Sequence, residues 1–485
     1  MSLKQKALSG IVWTFSQQVG VQGINFVVQI VLARLLSPEV FGLIAMIQIF
    51  MAIGQTLMDG GMASSLIRTK NPDQADYSTV FFINLFSSIV IYLILFFTAP
   101  YIALFFDQPL LTMVVRIYTI SFIIQALVGV QTTRLTKEMN FKLQMYMRIP
   151  STICGGIVGI VLAYKGFGVW ALVWMQLVTT FLWMLQHWFK TDWRPSLIFD
   201  KQKFKDHFNF GYKLTLSALV TTIYSNFYTL IIGKFFSVSQ LGFYNQANTL
   251  RVFPVRNINA ALQKVTYPLF SSIQDDNEKL KSVFRRITSI VFFITTPIMF
   301  FLTGIAEPLF RFVLTDKWLP AVPFFQILCI STIFYPQSLY NLNIIVAKGR
   351  SDLHLKLEVI KKGLSTLFLL LIIPFGIWGV IYAQAIGLFI HFYFNALYSG
   401  RMIKYSMKEQ LKDILPIILL SAFSLLIMFI GDSMFVKFIS DSDVWRILAS
   451  VLFYFSVFLI ISNIFNLKSI FEMKSIILNF KKNNS

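Results

Sequence analysis

Apolar stretches about 20 residues long recur along almost the whole chain, and this recurrence limits the fold more than any other feature. A helix that crosses the hydrocarbon core of a bilayer needs about 20 mostly apolar residues. Inside lipid every backbone amide must find a partner within the protein, which leaves helices and closed barrels as the spanning forms. Fourteen helix-length stretches can be marked, over 10–33, 39–62, 78–98, 111–133, 146–164, 168–189, 212–236, 240–265, 287–305, 321–346, 358–375, 377–398, 413–431 and 445–465. Composition agrees: 56% of the residues are hydrophobic and 13% are charged, where a soluble domain carries about a quarter charged. The expected class is all-α, a polytopic membrane protein with about 14 transmembrane helices.

The net charge of +20 would point to nucleic acid in a soluble protein. Here the cations crowd every second loop, for example Arg134, Lys137 and Lys142, then Lys190–Lys213, then Lys348–Lys362. The intervening loops hold only isolated cations such as Arg34, Lys165 and Lys234. That bias is the positive-inside pattern. It predicts both termini in the cytoplasm and the bilayer, not nucleic acid, as the partner. Lys4 and Lys6 precede a long glutamine-bearing segment, so a retained N-terminus is expected. Cys154 and Cys329 fall in apolar segments and read as small packing residues. No metal cluster, phosphate-cradling glycine loop or nucleophile triad is read, and no cofactor is expected.

The chain restates itself. Arg34-Leu35-Leu36-Ser37 and Gly42 match Lys234-Phe235-Phe236-Ser237 and Gly242 at an offset of 200, and Phe167-Gly168-Val169-Trp170 and Gln176 match Phe375-Gly376-Ile377-Trp378 and Gln384 at 208. Helices 1–6 thus correspond to 7–12. Six is even, so both copies enter the membrane from the same side. A pseudo-two-fold axis along the membrane normal follows. The expected parts are an N-lobe, 1–195, a C-lobe, 196–405, and a C-terminal pair of helices with a basic tail, 406–485.

Polar residues inside the spans mark the candidate site. Thr14, Gln18, Gln22, Asn25 and Gln29 share one face of the first helix, and Gln48, Gln55 and Asp59 share one face of the second. Such stripes face other helices or a wet cavity, not lipid. The stretch Ile231–Gln274 carries Arg251, Arg256 and Lys264 where the first copy has Met51, Thr56 and Ser64. Buried cations of this kind are functional-site hypotheses by default. Asn245, Asn248, Arg256 and Asn259 lie on a common face; Arg251 lies about 120° from Asn245. Arginine suits phosphate through its planar fork. The substrate-binding candidates are therefore Arg256, Arg251, Gln18, Gln22, Asn25, Gln29, Gln55, Asn245 and Asn259. Asp59 and His391 are the candidates for coupling or gating.

Several segments resemble the polysaccharide transporter family, the O-antigen and exopolysaccharide flippases of the multidrug/oligosaccharidyl-lipid/polysaccharide exporter superfamily. They are Gly10–Trp13, Ala33–Gly42, Asp59-Gly60-Gly61, Leu241–Ala247, Tyr267-Pro268, Ser271–Asp276 and Lys317-Trp318. The resemblance implies two six-helix lobes, two further helices, and translocation of undecaprenyl-pyrophosphate-linked oligosaccharide from the cytoplasmic to the periplasmic leaflet of a bacterial inner membrane by alternating access. It implies no catalytic residue, and other polysaccharide-assembly membrane proteins as partners. Relatives place cations on the first helix, where this chain has amides. Two alternatives stay open: a cation-coupled multidrug exporter of the same superfamily, and a membrane polysaccharide polymerase or ligase.

Overall fold

The computed structural model describes residues 3–438, 440–467 and 470 and, among these, all side chains except those of 3–9, 11, 256–265 and 438. All regular structure among them is helical. The chain forms two compact units, 1–242 and 243–485.

The first unit opens with α1 (Leu3–Leu35), α2 (Pro38–Asp59), α3 (Met62–Arg68), α4 (Gln74–Phe105) and α5 (Leu111–Tyr118). It continues through α6 (Ile120–Lys137), α7 (Phe141–Tyr164), α8 (Val169–Lys190), α9 (Lys201–Ser225) and α10 (Phe227–Phe235). The central slab is α7, packed on α1 along one side and on α8 along the other. Glycines permit this: a Cβ on Gly156 would stand 2.6 Å from Val28, and one on Gly159 would stand 2.9 Å from Met175. Met62, Leu66, Val80, Phe81, Val130 and Trp193 form a core where α3, α4 and α6 meet. The Gly60–Gly61 corner, both residues at positive φ, turns α2 into α3.

From the second unit come most of α11 (Val238–Ser272), then α12 (Asn277–Gly304), α13 (Ala306–Val313), α14 (Val322–Thr332) and α15 (Tyr335–Ala347). After them come α16 (Ser351–Ile372), α17 (Gly376–Met402), α18 (Met407–Phe438) and α19 (Asp443–Ile464). Here α12 packs on α14 and α18, α17 on α14, α15 and α16, and α18 on α19. Pro336, in the first turn of α15, has no amide to give to the carbonyl of Thr332 four residues back, which accounts for the break after α14. Trp318, fully buried, meets Phe243 edge-on at 6.0 Å.

Among the described residues, eleven helical segments are long and apolar enough to cross a membrane, and twelve if the pair α9–α10, bent by 43°, counts as one span. The chain is a multi-span membrane protein. The difference from fourteen has two sources. Ser351–Met402 counts once at 52 residues, although it contains two expected spans, divided at Gly376. And α11 fails on hydropathy, because Asn245, Asn248, Arg251, Arg256, Asn259, Gln263 and Lys264 interrupt its apolar run. The sequence expects the second copy from 196; its first two helices, α9 and α10, contact α2, and α9 also contacts α3.

The repeat is visible in the element ends. The first helix stops at Leu35 and the second starts at Pro38; α10 stops at Phe235 and α11 starts at Val238. These matching first turns cross each other. A Cβ on Gly42 would lie 2.0 Å from the Val238 carbonyl oxygen, and one on Gly242 would lie 2.0 Å from that of Pro38. The Ser239 hydroxyl donates to the Glu39 carboxylate beside the crossing. We expect Gly42→Ala and Gly242→Ala each to cost about 1–3 kcal/mol through overpacking, read as earlier thermal unfolding in detergent. Gly23→Ala, where nothing stands within 4 Å, serves as the control and should not destabilise.

A capping box starts α4: the Asp73 carboxylate accepts from the Asp76 amide at 2.9 Å, and the Asp76 carboxylate accepts from the Asp73 amide at 2.9 Å. The hydrogen bond from Lys203 holds the Asp73 carboxyl below the usual carboxylate range. Asp73→Ala should cost about 1 kcal/mol of stability at neutral pH. The folded pKa is lowered, so this contribution is complete above the unfolded value and fades as pH falls through the folded one. Unfolding midpoints of wild type and variant should therefore converge on acidification.

Candidate functional site

The amide stripe of α1 stands on an open face. Gln18 and Asn25 are exposed, while Gln22 and Gln29 are half-buried. Packing on α7 occupies an adjoining flank of the helix, through contacts such as Val28 on Gly156. An exposed amide on a helix this apolar meets water or pays desolvation in lipid.

Polar residues of α2 and α3 line a groove against α9. Gln55, Thr56, Asp59 and Ser64 face Thr215 and Ala218 across about 500 Å³. Thr56 Oγ1 donates to the Ala52 carbonyl at 2.8 Å and lies 3.3 Å from Thr222 Oγ1. Among the described residues Asp59 makes no ion pair. Along another face of α9 runs a larger apolar groove of about 900 Å³, lined by Met58, Phe82, Phe86, Phe204, Phe208 and Leu216 among others.

In the second unit Arg251 turns inward and is 7% exposed. Its guanidinium donates to Thr332 Oγ1 at 2.9 Å and to Asn248 Oδ1 at 2.6 Å. Thr332 is the last residue of α14, so the cation also lies by the negative end of a helix dipole. It pairs with no carboxylate among the described residues, and its Nε is buried without a partner. Tyr244, Cys329 and Tyr335 are its titratable neighbours. A buried cation compensated only by neutral groups still attracts an anion. Asn245, six residues earlier on α11, is half-buried. The Arg256 and Asn259 side chains lie outside the described residues.

His391 belongs to a polar cluster in the second unit. Its Nε2 is 3.5 Å from Ser365 Oγ, with Glu358, Lys361 and Lys362 as charged neighbours. Lys361, read from the sequence as a loop cation, is instead buried at 1% exposure. Its ammonium donates to Glu358 at 2.6 Å and to Asn395 Oδ1 at 2.9 Å. Asn395 in turn donates to the Ser338 carbonyl and hydroxyl, both at 2.9 Å. The signal for this cluster was present in the sequence: Glu358, Lys361 and Ser365 at i, i+3 and i+7 share a helix face. A second buried cluster, Ser65, Asp76, Lys203 and His207, left no such trace, because its members lie on three separate helices.

Several relatives of the chain are named for polysaccharide biosynthesis. It is 26% identical over 399 residues to the lipopolysaccharide biosynthesis protein WzxC of Escherichia coli, covering 81% of this chain and 79% of that one. It is 25% identical over 354 residues to the teichuronic acid biosynthesis protein TuaB of Bacillus subtilis, covering 73% of each. Among solved structures it superposes on the lipid II flippase MurJ, in an inward closed conformation, with a TM-score of 0.73 over 94% of this chain and 98% of that chain. At 16% identity that likeness establishes the fold. The polysaccharide biosynthesis protein family matches residues 31–323, more than half of the chain, and this chain belongs to that family.

Proposed function

We propose that this protein flips undecaprenyl-pyrophosphate-linked oligosaccharides from the cytoplasmic to the periplasmic leaflet of a bacterial inner membrane, for assembly of a surface polysaccharide. In this reading fourteen spans form an N-lobe, 1–195, a C-lobe, 196–405, and an added pair of helices, 406–485. Both termini are cytoplasmic, and the lobes alternate access.

The observation that carries the reading is the exposed amide face of α1. Gln18 and Asn25 are not consumed by helix packing, and a spanning helix keeps such a face only where water reaches it. Amides and water suit the hydroxyls of a sugar. Arg251, with an unfilled donor, suits the pyrophosphate through charge-assisted hydrogen bonds. The apolar groove beside α9 offers a surface for the polyprenyl chain. Outward movement of an anion across an inside-negative membrane gains about 2.3 kcal/mol per charge per 100 mV, which would drive the flip wherever that charge crosses uncompensated. The names of WzxC, TuaB and MurJ agree with this substrate class.

The test is flipping of a fluorescent lipid-linked oligosaccharide in proteoliposomes. Gln18→Leu combined with Asn25→Leu should slow it at least tenfold at equal protein level. Arg251→Ala should do likewise, with Arg251→Lys intermediate because it keeps the charge but loses the fork. The apolar control Val19→Leu should match wild type. Full flipping by both Gln18→Leu/Asn25→Leu and Arg251→Ala would remove these residues from the site. Efflux of cationic dyes without any flipping would replace the function with multidrug export.

A further inference from the structure

The cluster formed by Ser65, Asp76, Lys203 and His207 has no part in the site above. Asp76 is on the first turn of α4, Ser65 on α3, and Lys203 and His207 one turn apart on α9. His207 is 3% exposed, Ser65 6% and Asp76 8%. Its Nε2 lies 3.2 Å from Asp76 Oδ1 and its Nδ1 lies 2.7 Å from Ser65 Oγ. Lys203 donates to Asp76 Oδ2 at 3.0 Å and also to Asp73. The cluster sits at the mouth of a groove of about 490 Å³ whose wall includes Arg68, Lys70 and Asp206. Lys137 from α6 is spent on the carbonyls of Leu66, Ile67 and Thr69 at the end of α3.

The buried Asp76 carboxylate shares Lys203 with Asp73, and a protonated His207 gives it a cationic donor of its own. Both states keep their hydrogen bonds. Neutral imidazole donates from Nε2 to Asp76 and accepts at Nδ1 from the Ser65 hydroxyl. Imidazolium donates to both, because a hydroxyl is donor and acceptor. A site that satisfies both forms of a buried histidine can gain and lose a proton without being torn apart.

The same junction holds the start of α9 in place. Gly211, one turn beyond His207, touches the α2–α3 corner: a Cβ there would be 2.2 Å from the Gly60 carbonyl oxygen. The Asp200 amide donates to Thr79 Oγ1 at 3.0 Å. Beyond Gly211 the exposed residues predominate along α9 up to Ile223, and the helix flanks both grooves described above. We propose that His207 is a proton-binding site that sets how firmly α9 is clamped to α3 and α4, and that this proton is the coupling ion. The second half of the proposal rests on the flippase reading; the clamp itself does not. Histidine is the side chain whose ordinary charge change falls between about pH 5 and 8. The clamped state pairs imidazolium with Asp76, so it binds the proton more tightly than an unclamped state, and acid favours the clamp.

The experiment is a spin-label distance between Ser64→Cys and Leu214→Cys, which face each other across the polar groove. The background is the full-length protein with Cys154→Ser and Cys329→Ser, in liposomes, scanned from about pH 5 to 8. With His207 present, the short-distance population should grow as pH falls. His207→Gln should make it independent of pH. Lys203→Gln removes the competing cation and should move the midpoint up by about one pH unit or more. Ser65→Ala takes away one acceptor of the imidazolium and should move it down; this variant and Lys203→Gln keep the test decisive if His207→Gln does not fold. A distance indifferent to pH with His207 present, or an unmoved midpoint in Lys203→Gln and Ser65→Ala, would overturn the proton site. In the same liposomes, flipping should slow when the transmembrane pH difference is abolished and lose that dependence in His207→Gln. Flipping with no pH dependence would overturn the coupling alone. Titrating distances without any flipping would overturn the flippase reading and leave the proton site standing.

Discussion

Hydrocarbon gives a backbone amide no partner, and the whole architecture follows from that constraint. Every described element is a helix, and at the breaks polar side chains add hydrogen bonds to carbonyls of the adjoining turn. Between α9 and α10 the Asn226 side chain donates to the Thr222 carbonyl at 2.9 Å. Between α14 and α15 the Thr332 hydroxyl donates to the Leu328 carbonyl at 2.7 Å and accepts from Arg251. The broken helices thereby bring polar groups into the interior without stranding backbone.

Hydrophobic burial cannot drive helices together in lipid as it does in water, so close approach and polar pairing must specify the contacts. Both are present. Glycines bring backbone against backbone where α2 crosses α11 and where α9 crosses the α2–α3 corner. Polar networks then decide which helices meet: Lys361, Asn395 and Ser338 join α16, α17 and α15, and His207, Asp76 and Ser65 join α9, α4 and α3. Such pairs contribute little net stability when buried. Their value lies in specifying one arrangement and in responding to charge.

Equivalent positions in the repeat show how one frame serves different ends. Glu39 and Ser239 occupy equivalent places, as do Gly42 and Gly242, and all four meet at one crossing. Further along, Met51 and Arg251 are equivalent. The methionine position stays apolar, while the arginine reaches the end of α14. A buried cation therefore stands in the second unit without a counterpart at the matching position of the first.

Class, approximate span positions and the repeat were legible in the residues themselves, since apolar length and helical period act locally and need no partner. The α1 stripe was legible for the same reason, although the sequence could not say whether Gln18 and Asn25 would be packed or open. Which helices associate was not legible: α9 and α10 carry the signature of the second copy, and both contact α2. The inward turn of Arg251 depended on the break at Thr332, more than eighty positions away along the chain. Lys361 looked like one of many loop cations until Asn395 and Glu358 surrounded it. Ser65, Asp76 and His207 carry no mutual spacing, because residues on three helices are brought together only by packing. Period and hydropathy determine what each segment is; the partners of its polar groups are determined only when the segments meet.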